Sequence, residues 1–127
     1  SDVCSSDLNM VRADGKMIVA IGGNATPGTL TAAGLAGDGT VKWTRQLDNV
    51  TITAQSAEIA PGKPWVALSV QGGIVYVLNT ETGSVLSRID GQSFQPSVAW
   101  MKEPGKDTPL LVVSARNRLN AYRVTGK

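Results

Sequence analysis

Gly73–Arg88 reads GIVYVLNTETGSVLSR. Val75, Val77 and Val85 are β-branched, and Tyr76 and Leu78 supply large side chains on the other parity, as a strand buried on both faces requires. Asn79-Thr80-Glu81-Thr82-Gly83 then interrupts the apolar run. An Asn side chain can accept hydrogen bonds from the backbone just ahead of it, and Gly reaches positive φ without a steric cost, so this segment predicts the turn of a hairpin.

The layout recurs. Leu30–Trp43, LTAAGLAGDGTVKW, again runs from an apolar strand through a Gly-bearing polar turn into an outgoing strand. Leu119–Lys127, LNAYRVTGK, repeats the first half and reaches Thr125-Gly126. From Gly39 to Gly83 is 44 residues and from Gly83 to Gly126 is 43. A period of about 40–45 residues carrying several short strands predicts the blades of a β-propeller.

VYVLNTETGSVL and AGLAGDGTVKW resemble the repeat of the bacterial quinoprotein-type (PQQ-like) β-propellers. That repeat runs Val-Tyr-Ala-Leu-Asp, two residues, Thr-Gly-Lys, then an apolar pair ending in Trp. On this resemblance Gly39, Trp43, Asn79, Thr82, Gly83, Thr125 and Gly126 are the structural repeat positions. Asn79 stands where the family has Asp, Ser87-Arg88 falls where Trp is expected, and the first turn carries Asp38-Gly39 in place of Thr-Gly. The resemblance extends from about Met17 to the end. It implies four-stranded antiparallel blades and says little of activity, because such repeats serve both dehydrogenases and non-catalytic scaffolds. It also implies the bacterial periplasm or outer envelope, and the remaining blades of a longer chain as partners. PQQ and calcium are expected only if the chain is part of a quinoprotein dehydrogenase, whose vicinal Cys pair has no counterpart here.

Composition narrows the function classes. The 127 residues are 42% hydrophobic and 17% charged, with 14 Gly and 6 Pro, which suits Gly-punctuated all-β structure. A formal charge of +2 is too small to point to nucleic acid. No apolar run approaches the roughly 20 residues of a membrane span. There is no His, and Cys4 is the single Cys, so an internal disulfide and a Cys/His zinc site are excluded. Ser1–Leu8, SDVCSSDL, resembles the translated read-through of a sequencing adapter; the alternative is a disordered natural leader. Without Asp2 and Asp7 the balance is 12 basic against 8 acidic residues, or +4.

The remainder divides into three repeats, 9–50, 51–91 and 92–127. Strands are expected at Met17–Gly22, Thr29–Ala36, Val41–Leu47, Ile52–Ile59, Trp65–Val70, Ile74–Leu78, Val85–Ile89, Gln92–Trp100, Leu110–Ser114 and Leu119–Val124. The first repeat is expected to lack an inner strand unless Asn9–Arg12 supplies a remnant, and the third to lack an outer one. Three blades cannot close a ring of about four to eight. Met17–Ile21 and Leu110–Val113 should therefore each leave one apolar face bare, and the middle sheet should be the most buried.

Trp43, Trp65 and Trp100 read as packing between blades rather than a stacking platform for a ligand. Gly22-Gly23 and Gly72-Gly73 invite a kelch reading, but Tyr76 follows too soon; a WD-repeat reading lacks its His. Gly34, Gly37 and Gly39 read as strand and turn glycines, not a nucleotide loop. Glu81, Glu103 and Asp107 fall on turns and form no catalytic pair. Gln55, Glu58, Gln92 and Gln95 lie on or before inner strands, where side chains line a propeller's mouth, and these four are the expected contacts for a protein or small ligand. The resulting expectation is a non-catalytic binding or scaffold propeller, with a dehydrogenase fragment as the alternative.

Overall fold

A computed structural model describes residues 8–13, 15–23, 29–48, 54–70, 73–90, 96–115 and 118–124. Short apolar runs between Gly and Pro turns become eleven strands: β1 Leu8–Ala13, β2 Met17–Gly23, β3 Thr29–Ala36, β4 Val41–Asp48, β5 Ala54–Ile59, β6 Trp65–Val70, β7 Ile74–Asn79, β8 Val85–Ile89, β9 Ser97–Lys102, β10 Pro109–Ala115 and β11 Arg118–Arg123. No helix forms among the described residues. Gly15, Gly39, Gly62, Gly73, Gly83 and Gly105 all take positive φ, each at or beside a turn.

The strands form three antiparallel meanders, β1-β2-β3-β4, β5-β6-β7-β8 and β9-β10-β11. β5 lies against β1 on one side and β9 on the other, so the first strand of each sheet is innermost. These are propeller blades in an open arc. The blades repeat in their irregularities as well as their strands. On the inner edge, pairing skips Asn9 in β1 and Gln55 in β5. On the outer edge it skips Lys42 in β4 and Leu86 in β8. Each extra residue is a β-bulge, which sharpens the local twist. The outer bulges are 44 residues apart, the spacing of the turn glycines.

Packing follows strand parity. Val66, Leu68, Val70, Tyr76 and Leu78 of the middle sheet meet Val19, Ile21, Ala32 and Leu47 of the first. Ala67, Val75 and Val77, on the opposite face, meet Val98, Leu111 and Val113 of the third. Every residue of β6 and β7 is buried. Val66, Leu68, Val70, Val75, Val77, Leu111 and Val113 have no solvent exposure at all. Full burial of such a side chain contributes roughly 1.5–3 kcal/mol.

Asn9–Arg12 does supply the inner strand of the first sheet, within β1, which begins at Leu8. One expectation needs correction. Met17–Ile21 does not leave an apolar face bare. Val19 and Ile21 pack against the middle sheet, and on the reverse face Ala20 pairs with Ala33, both buried. Alanines are short enough to be shielded by their neighbours, and only Ile18 is half-buried. The third sheet behaves as expected. Leu111 and Val113 are buried while Leu110 and Val112 are half-buried. Met101 and Leu119, on that same outward face, are 55% and 72% exposed.

Leu68→Ala removes a branched side chain from the centre of the middle sheet. It should cost about 2–5 kcal/mol in chemical denaturation, a transfer contribution plus a cavity; a loss below about 1 kcal/mol would contradict this packing. The outward face of the third sheet, and the unpaired edge of β11, should make the 127-residue chain self-associate. Sedimentation velocity should show larger species that the pair Met101→Lys and Leu119→Lys diminishes.

Candidate functional site

The best-organised polar site is the turn after β7. Asn79 is buried, and its Oδ1 accepts from the backbone N–H of Glu81 at 2.7 Å and of Thr82 at 3.1 Å. The Gly83 N–H donates to the Asn79 carbonyl at 2.8 Å, with Gly83 at φ 78°. The Asn79 N–H donates to the Ser84 carbonyl at 2.9 Å, and the Thr80 N–H to Pro64 at 2.8 Å. An Asn serves at this position because the turn needs only a side-chain acceptor oxygen.

Trp43 of β4 docks on this turn. Its Nε1–H donates to the Thr80 carbonyl at 2.8 Å, and Arg45 Nε donates to the Gly83 carbonyl at 2.9 Å. The indole lies on Gly83 and on Gly34, its cross-strand partner in β3. A Cβ at Gly83 would come within 2.5 Å of the ring, and one at Gly34 would collide with it. The first blade is thus fastened to the second at their outer strands. Sequence reading identified Trp43 and Gly83; it missed the Gly34 seat and the Arg45 bond. A Gly in mid-strand was the available signal, since it marks close approach of another group.

The next interface is fastened on the inside. Trp100 Nε1 donates to the Glu58 carbonyl at 2.9 Å, and the Val98 N–H to Ser56 Oγ at 3.3 Å. Trp65 lies 6.0 Å from Trp100, ring centroid to centroid, tilted by 38°. All three Trp residues therefore pack between blades, as expected.

Of the four expected mouth residues, Glu58 is the one whose side chain the structure describes. Glu58 is exposed on β5, the innermost strand of the middle sheet. Gln55 is the bulged residue three positions earlier on the same strand. Gln92, Gln95, Thr125 and Gly126 lie outside the described residues. Glu81 is exposed on its turn, and Glu103 holds Arg123 through two bonds of 2.8 and 3.0 Å. Among the described residues no three His, Cys, Asp or Glu side chains gather. Asp38 is held below its ordinary carboxylate range by the Thr40 N–H, which donates to Oδ1 at 3.0 Å. The Arg88 guanidinium is held above its ordinary range, chiefly by its bond to Asp90 and then by Tyr76. A hollow of about 400 Å³ lies among turns of the first two sheets, bordered by Lys16, Lys63 and Glu81.

No family model matches the chain, and no curated protein matches it. Among solved structures, a computationally designed protein, Ika8, is 16% identical with a TM-score of 0.66 over 94% of this chain and 34% of that one. A europium-containing methanol dehydrogenase is 16% identical with a TM-score of 0.59 over 96% of this chain and 24% of that one. The chain thus spans about a third and a quarter of these two proteins, and what it shares with them is the propeller-like fold.

The docked indole makes a specific forecast. Gly39 and Gly83 both have positive φ, but a Cβ at Gly39 meets open space. Gly39→Ala should cost only backbone strain, roughly 1–2 kcal/mol. Gly83→Ala must also displace Trp43, and should cost at least about 1 kcal/mol more. In a Trp43→Ala background, itself destabilised by about 3 kcal/mol, that difference should vanish. A difference that persists would mean the ring does not rest on Gly83.

Proposed function

We propose that the chain is a section of a β-propeller binding or scaffold module of the PQQ-like repeat type, working in the bacterial periplasm or outer envelope, with no catalysis carried by these sheets. The observation that supports this most is how the reactive and aromatic groups are used. The three indoles and the polar turn after β7 serve contacts between sheets. Glu58, the carboxylate on the innermost strand of the middle sheet, is exposed and belongs to no acidic cluster among the described residues. A ligand, either a protein segment or a small molecule, would meet the inner edge at Gln55, Glu58, Gln92 and Gln95. The charge of +2 argues against nucleic acid.

A second reading, part of a PQQ-dependent quinoprotein dehydrogenase, is favoured by the fold likeness to a methanol dehydrogenase. Such an enzyme needs calcium held by six to eight oxygen ligands, several of them carboxylates. Among the described residues no three His, Cys, Asp or Glu side chains gather, which is why this reading stands second.

Calorimetric titration of the chain with PQQ and calcium should give no saturable heat. Tight binding, together with dye-linked alcohol oxidation by the complete protein, would favour the dehydrogenase. Glu58→Gln should leave stability within about 0.5 kcal/mol of wild type, as expected for an exposed side chain without a buried partner; a loss above about 2 kcal/mol would place Glu58 in a structural network instead.

A further inference from the structure

We draw no further inference here: the strongest candidate, the outward apolar face of the third sheet where Met101 and Leu119 are exposed, carries none, because nothing in the structure shows what covers it.

Discussion

The contact between the Trp43 indole and the Gly34 and Gly83 backbones governs how the first two blades sit together. A ring can approach main chain this closely only where neither residue has a side chain, and the two glycines occur at the two places the ring touches. The hydrogen bond from Nε1 to the Thr80 carbonyl fixes the ring in the interface plane, and Arg45 adds a second bond on the same turn. The turn can receive them because Asn79 has already satisfied its own amides. A polar turn that presents carbonyls outward is thereby a socket, and the outer strand of the preceding blade is its plug.

Between the second and third blades the large and small residues are exchanged. Trp100 packs on the inner strand where the first interface has Ile59, and Ser87 stands on the outer strand where the first has Trp43. Inner fastening through Glu58 and Ser56 replaces outer fastening through Thr80 and Gly83. Close packing requires the volume between two sheets to be filled somewhere. Here Trp100 fills it near the axis, and Leu86 and Ile89 pack further out.

The same division explains why the middle sheet is the most buried of the three. It is covered on both faces, so β6 and β7 have no solvent-facing parity. The outer sheets are covered on one face each and answer the problem differently, the first with alanines that need little cover and the third with Leu119 and Met101, which remain exposed.

The amino-acid sequence alone determined the blade count, the strand positions after Met17, the core of the middle sheet and the roles of Asn79, Gly83 and Trp43. Each of these is local: β-branched runs, positive-φ glycines and an Asn-led turn act over a few residues, and the repeat multiplies the signal. The sequence left the Asn9–Arg12 strand open, and only the tertiary structure decided that it completes the first blade, by pairing it with β2. It also decided that Gly34 is a seat and that Ala20 and Ala33 are buried rather than bare. Those outcomes depend on which faces meet across 40 or more residues of chain, and side-chain volume on one blade has meaning only against the blade that covers it.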